Sequence, residues 1–483
     1  MSVAPACASS RTATYRRRQP ERTVLYRTVQ THLATWLELT RERPLGGSTP
    51  AHLEREFRRY LECGILAHGF ARAYCDQCQH DFLIAYSCKG RGVCPSCNTR
   101  RMAETAAHLV DHVFPPLPVR QWVLAVPKRM RYFLQRDAAL QGAVLRIFLR
   151  VVERCLREHS PGCSAEARIG ALAFIHRFGS ALNEHVHFHC CILDGVFEPA
   201  SDADTGAAAG VVFHAACGLD PEALAAVQRR VRRRILRAFV RRGLIEPGDA
   251  DQMGAWEHDG GFSIDASVRI EGTDRPALER LLRYCARPPF ALEHLQQLDA
   301  EHLAYHSPKP HPEAPGTLVL TPLEFIDRIA ALVPPPRAHR HRYYGVLAPN
   351  ASLRVAVTAL APVAIAPSPP PADAAQTQEE PLHRAAARYL WAILLARIYE
   401  AFPLACPICH SQMRIIAFIN EPSTVRKILD HIGEATQPPP IAPARGPPLW
   451  EAAAASQQAD NDPQWDMSAQ PGPQIEFDQR IAW

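Results

Sequence analysis

Residues 181–195 read ALNEHVHFHCCILDG, with His185, His187 and His189 at every second position. In a β-strand, residues i, i+2 and i+4 leave the backbone on one side. The three imidazoles therefore share a face, and Val186, Phe188, Cys190 and Ile192 form the other. Just upstream, ARIGALAFIHRFGS (167–180) is a second, partly alternating apolar run, and the pair predicts a β-hairpin. Two imidazoles at this spacing can chelate one divalent ion and leave coordination positions that a phosphate oxygen can occupy, where the metal acts as a Lewis acid.

Outward from the hairpin, VRQWVLAVP (119–127) reads as a buried strand and residues 131–158 as one long helix. Residues 221–243, PEALAAVQRRVRRRILRAFVRRG, read as a helix that turns Val227, Val231, Ile235 and Phe239 to the core and carries eight arginines between Arg229 and Arg242. FSIDASVRIEG (262–272) reads as another strand, and RPALERLLRYCAR (275–287) as a helix stopped by Pro288 and Pro289. Strands interleaved with helices in this order predict an α+β fold, helices packed on an antiparallel sheet.

The 483 residues exceed one ordinary domain, and 43 prolines imply linkers or tails. The reading divides the chain into a basic disordered stretch (1–22), a helix and zinc-binding module (23–110), an α+β core (118–350), a Pro-rich linker (362–381), a small helical module containing CPIC (382–436) and a disordered acidic tail (437–483). Net charge is +5, but 437–483 holds six acids and two arginines, which leaves +9 on the remainder and favours a polyanionic partner. The N-terminus lacks an apolar signal core and no run approaches a membrane span, so a cytoplasmic protein with reduced thiols is expected.

Fifteen cysteines in such a setting point to metal. Cys75-x2-Cys78 and Cys94-x2-Cys97, fifteen residues apart, have the two-knuckle spacing of a structural Zn²⁺ site. Cys63, His68, His80 and Cys88 lie close enough in sequence to supply a second ion or to replace a knuckle member. Cys406 and Cys409 of CPICH are half a site: a lone turn, a borrower of ligands, or chemically inert. A phosphate-directed histidine site also needs a nucleophile. Tyr284 is one candidate, with Arg283 and Arg287 nearby to hold phosphate.

Several blocks in order, CDQC, SCKGRGVCPSC, VLAVPKRMRYFLQRD, HRFGSALNEHVHFHCCILDGVF, RYCARPPFALEHL and VPPPRAHRHRYYGVLAPN, resemble the rolling-circle insertion-sequence transposases of the IS-ninety-one type, in the His-hydrophobic-His superfamily. The resemblance covers roughly residues 15–445. It implies a DNA transposase whose His pair falls on His187 and His189 and whose catalytic tyrosine falls on Tyr284, with Mg²⁺ or Mn²⁺ at the histidines. His176 is the candidate third ligand, with Glu184 and His185 as rivals. Where some relatives carry a second tyrosine one turn earlier, this chain has Arg280, as in the single-tyrosine subgroup. The implied chemistry is attack by Tyr284 on single-stranded DNA, giving a 5′-phosphotyrosine and a free 3′-hydroxyl. Arg229, Arg230, Arg233 and Arg237 would track the DNA backbone. Arg340 and Arg342, beside Tyr343 and Tyr344, would join cations to base-stacking rings.

Two rival readings keep part of this pattern. A replication initiator or relaxase would use the same residues, although no G-x-x-x-x-G-K-[ST] nucleotide loop marks a fused helicase or a nucleotide cofactor. A non-catalytic, zinc-dependent DNA-binding protein would need none of the histidine chemistry.

Overall fold

A computed structural model describes residues 17–42, 49–200, 210–256, 261–307, 316–361, 406, 408–409, 411 and 413–445. The linker and the helix expected over 362–400 lie outside the described residues, as does the tail beyond 445. Along the chain run α1 (Val24–Glu42), α2 (Ala51–Glu62), β1 (Phe70–Tyr74), β2 (Asp81–Ala85), α3 (Pro95–His112), β3 (Val119–Ala125), α4 (Lys128–Arg136), α5 (Ala138–Glu158), β4 (Gly170–Phe178), β5 (Glu184–Leu193), β6 (Gly195–Pro199) and β7 (Val211–Ala215). There follow α6 (Pro221–Val240), α7 (Pro247–Ala255), β8 (Ser263–Asp265), β9 (Arg269–Ile270), α8 (Arg275–Ala286), β10 (Leu295–Gln297), β11 (Leu303–His306), β12 (Thr317–Leu320), α9 (Pro322–Leu332), β13 (His341–Gly345), α10 (Arg354–Ala359), β14 (Arg414–Ile419) and α11 (Pro422–His431). The fold is α+β, and every strand pairing is antiparallel.

These elements form two compact units. One takes the described residues of Thr105–Pro289 and Arg337–Pro367. Its sheet has the order β13-β4-β5-β3-β8, with β9 pairing β3. The expected hairpin is present, and its register sets His176 opposite His187 and Phe174 opposite His189. The alternation along β5 sorts its side chains as read from sequence. Val186, Phe188, Cys190 and Ile192 pack with α4, α5 and α6, whereas Cys191 and Leu193 pack with Leu278, Leu281, Leu282 and Cys285 of α8. Val227, Val231, Ile235 and Phe239 of α6 are buried on the first face, so the arginine helix covers the side of the sheet opposite the histidines.

A buried carboxylate ties three strands together. Asp194, at the end of β5, accepts from Arg120 of β3 (2.8 and 3.0 Å) and from Arg269 of β9 (2.7 Å). The helix expected over 131–158 is two helices. Asp137 takes an extended conformation, and its carboxylate caps α5 by accepting from the amides of Ala139 and Leu140.

The other unit takes the described residues of Met1–Glu104, Phe290–Pro336 and Ser368–Ala453. Here 290–336 group with the N-terminal elements, whereas the sequence reading places them with the core of 118–350. The CPIC segment is not a separate module either: β14 pairs with β1 in a sheet of order β14-β1-β2. Nor is the tail wholly free from residue 437. Gln30 of α1 donates to the Pro440 carbonyl (2.8 Å), Ala442 donates to the Gln30 carbonyl (3.0 Å), and Arg445 N–H donates to Thr35 Oγ1 (2.9 Å). α1 packs on α9, where Trp36 Nε1 donates to Asp327 (2.6 Å).

Candidate active site and metal-binding clusters

Three histidines meet on the α8 side of the large sheet. His176, His187 and His189 each offer a ligand nitrogen, all within 4.8 Å of one another. One nitrogen of each ring is engaged and the other is left for the cluster. His176 Nε2–H donates to the Cys285 carbonyl at 2.6 Å, and its buried Nδ1 has no partner. His187 Nδ1–H donates to the His185 carbonyl at 3.1 Å. His189 Nδ1 lies 2.9 Å from the Gln121 amide, while its buried Nε2 has no partner. Gln121 Oε1 also lacks a partner, so turning the amide over lets this oxygen accept from Nδ1–H and leaves Nε2 with a lone pair. Two orphaned, buried nitrogens, His176 Nδ1 and His189 Nε2, with the half-buried His187 beside them, form a donor set that suits a divalent cation.

Burial keeps these imidazoles in the ligand form. Desolvation, aided by neighbouring histidines and Arg287, pushes His176 and His189 well below the usual range. For His187, burial is the largest cause and the value falls to about 4. All three are neutral near pH 7, the state that binds metal. His185, the fourth imidazole, stands 4.8 Å ring to ring from His187 but outside the three-ligand cluster, and Glu184 is exposed at the strand's start.

Tyr284, on the last turn of α8, presents its ring to His189 at 5.5 Å between centroids and an interplanar angle of 83°. Arg287 covers the same ring, its guanidinium carbon 4.5 Å from the centroid. Burial raises the phenol's pKa, and the Arg287 charge opposes that rise. The carbonyl that anchors His176 belongs to Cys285, the residue after Tyr284, so one helix end positions both groups.

The cysteines do not pair as their spacing predicts. Cys94 and Cys97, at the start of α3, join Cys63 and Cys88. Cys75 and Cys78 lie elsewhere, with Cys406 and Cys409. The expected quartet of Cys75, Cys78, Cys94 and Cys97 is therefore two halves of two clusters. The hairpin explains the split: Cys75 and Cys78 sit in the β1–β2 turn, while β2 carries the chain back to Cys88 beside the end of α2. In the first cluster the sulfur distances are 3.7 Å (Cys63–Cys97), 3.5 Å (Cys88–Cys97) and 3.6 Å (Cys63–Cys94). Tetrahedral zinc at about 2.3 Å from each sulfur sets them roughly 3.8 Å apart, so the quartet fits Zn²⁺. Amides of Cys88 and Gly90 point at Cys63 and Cys88 sulfur, and the Arg18 guanidinium lies 3.1 Å from Cys63 Sγ, offsetting the charge of four thiolates. His68 and His80 belong to neither cluster.

Residues 29–126 match the family described as "Transposase zinc-binding domain", and residues 170–354 match the family described as "Putative transposase". Together they span more than half of the chain. The two matches mark the chain as a transposase, consistent with the IS-ninety-one type. Neither the comparison with curated proteins nor that with solved structures gave a match. Both histidine strands and Tyr284 lie inside the second matched region, and Cys63, Cys88, Cys94 and Cys97 inside the first.

The arginines expected at DNA occupy three settings in this transposase. Arg229, Arg230, Arg233 and Arg237 line a groove of about 1180 Å³ between α6 and α7, on the face of the sheet away from the histidines. Arg287 is at the tyrosine, whereas Arg283 is held by Glu279 of its own helix (2.7 Å). Arg342 lies opposite Ala173 in β13, and Arg340 is near enough to His176 to help lower its pKa. Gln121 and Arg18 are the residues that sequence reasoning missed. A polar amide inside the apolar run VRQWVLAVP was the available signal for Gln121; Arg18 gave none. Among the described residues no helix is long and apolar enough to cross a membrane.

Proposed function

We propose that this transposase is a His-hydrophobic-His tyrosine nuclease that cleaves and rejoins single-stranded DNA by a rolling-circle route. The observation that carries the reading is the placement of Tyr284 against His189, on the sheet face where three neutral histidines converge. The phenolic oxygen of Tyr284 attacks a phosphorus of the strand, the P–O3′ bond breaks, and a 5′-phosphotyrosine forms. The phenol's proton passes to solvent, and the departing 3′-oxygen takes one up. Arg287, over the Tyr284 ring, favours negative charge on the phenol oxygen and carries a cation that can also meet a phosphate.

His176, His187 and His189 are the residues to hold Mg²⁺ or Mn²⁺, which when bound supplies Lewis-acid polarisation of the scissile phosphate. Gln121 and the Cys285 carbonyl fix the ring orientations of His189 and His176. Because the adduct retains a phosphodiester, a later 3′-hydroxyl can reverse the step and join strands without a nucleotide cofactor. The arginine groove on the opposite sheet face then serves DNA away from the nick, and the zinc-binding unit recognises an end of the element or braces the N-terminal module. The setting for this chemistry is the cytoplasm, on the nucleoid.

The test is incubation of the full chain with circular single-stranded DNA and Mn²⁺, followed by a denaturing gel. A covalent protein–DNA band that vanishes in Tyr284→Phe is the expected result. A band that persists moves the nucleophile to another residue. No band on several substrates favours a protein that binds DNA without cutting it.

A further inference from the structure

We propose that Cys75, Cys78, Cys406 and Cys409 bind a second zinc ion, which clasps the segment around β14 and α11 onto the β1–β2 hairpin. Half of this site lies outside the matched zinc-binding region at 29–126. The inference is independent of the nuclease reading.

The four sulfurs form one group rather than two pairs. Cys409 Sγ lies 3.4 Å from Cys75 Sγ and 3.6 Å from Cys78 Sγ, and Cys78 Sγ lies 3.3 Å from Cys406 Sγ. These edges approach the roughly 3.8 Å of a zinc thiolate tetrahedron, as in the first cluster. The two turns are built alike although more than three hundred residues separate them. Cys75 N–H donates to the carbonyl of His80 (2.9 Å), and Cys406 N–H donates to that of Ser411 (2.8 Å), five residues on in each case. Ile408 N–H also points at Cys406 Sγ (3.4 Å), an amide-to-sulfur contact that favours a thiolate. Two Cys-x-x-Cys turns presenting two sulfurs each is the arrangement expected in sequence for Cys75, Cys78, Cys94 and Cys97. It occurs here with a partner turn that lies far along the chain.

The surroundings say why an ion is needed. Apolar burial at this corner is small: Ala73, Cys75, Cys406 and Met413 form one buried cluster, and Leu66, Phe70, Val425 and Leu429 another. The outer face of β14 leaves Ile416 and Phe418 exposed. The Arg414–Asp76 pair (3.1 Å) is exposed at both ends and contributes little. A module with so little core depends on a staple, and metal binding to a site that exists only in the folded chain is folding energy.

The test is zinc content per chain of the purified full-length protein, by inductively coupled plasma mass spectrometry. Two ions are expected in the wild type and one in Cys406→Ser/Cys409→Ser, a twofold drop; Cys409→His, which keeps a ligand, retains two. The ion left in the serine variant reports that the first cluster still folds. Replacement of zinc by Co²⁺ gives a second readout, since thiolate-to-cobalt absorption falls by about half in the serine variant. One ion in the wild type, or two in both wild type and serine variant, overturns the proposal. Should the serine variant lose both ions, Cys409→His decides: two ions uphold the clasp, and fewer overturn it.

Discussion

The rings of Tyr284 and His189 meet nearly at right angles, 5.5 Å between centroids and 83° between planes, while the Gln121 amide holds Nδ1 of that imidazole at 2.9 Å. A tyrosine at this spacing on a helix is by default a packing residue. Its ring lies beside one of three convergent imidazoles and under a guanidinium, and nucleophile and packing residue differ in what one oxygen does. Tyr284→Phe keeps the ring and removes that oxygen. The covalent DNA adduct is expected to disappear, a loss of at least about 10³-fold, comparable with the largest single-group effects in catalysis. Melting temperature and metal affinity are expected to be unchanged. Adduct yield and calorimetry on the same preparations check this.

Arg287 opposes the upward push that burial exerts on the Tyr284 phenol. Removing the charge raises the phenol pKa further, so less phenolate exists at any given pH. In Arg287→Ala the rising limb of the cleavage profile is expected to move to higher pH, with a loss of about fivefold to tenfold at neutral pH from a contact worth ~1 kcal/mol. Single-turnover cleavage measured across alkaline pH checks it. An unmoved profile would reduce Arg287 to a phosphate contact.

Gln121 touches no substrate in this scheme and acts only through His189. Gln121→Ala frees the imidazole to change tautomer and ring angle. A drop in Mn²⁺ affinity of about 10–100-fold is expected, measured by titration calorimetry, and cleavage at saturating Mn²⁺ is expected to recover most of its rate. Rescue by added metal separates this positioning role from a catalytic one.

The depressed histidines also set an acid limit on the metal-free protein. His187 falls from an ordinary value of 6.5 to about 4 when folded, so between those values the unfolded chain binds more protons than the native one. Stability therefore rises with pH across that window and is lost as pH falls from 6.5 toward 4. His187 alone accounts for roughly 3 kcal/mol at most, and His176 and His189 act in the same direction. Denaturant midpoints at pH 7 and pH 4.5 of protein freed of Mg²⁺ and Mn²⁺ by dialysis, with its zinc content verified, check the sign. Mn²⁺ should widen the gap, since it binds only the neutral rings.

The core was legible in the sequence wherever a short-range period governed it. Alternation in residues 167–193 defines the hairpin and the His187–His189 pair, and helical spacing defines the buried face of α6. Boundaries depended on single residues whose local chemistry competes with the period: Asp137 caps a helix in mid-pattern. The cysteine sites were readable as knuckles but not as pairs, because ligand identity is decided in space. Cys63 and Cys88 lack a C-x-x-C spacing, and Cys406 lies 328 residues from Cys78. The same limit hid the pairing of β14 with β1 and the path of residues 440–445 along α1.

Asp194 offers a test of the frame that holds the histidine strand. Its carboxylate is buried and shared between Arg120 and Arg269, three charge-assisted bonds across β3, β5 and β9. Asp194→Ala leaves Arg120 without its carboxylate and Arg269 with only the exposed Glu271, and with both guanidinium groups partly exposed the loss is expected to cost about 3 kcal/mol. Asp194→Asn keeps the shape and is expected to cost less, roughly 2 kcal/mol, the scale of hydrogen bonds to charged groups. Urea unfolding of both variants measures the costs. Because β5 also carries His187 and His189, the alanine variant is expected to lose Mn²⁺ affinity together with stability, whereas the asparagine variant should retain the metal site.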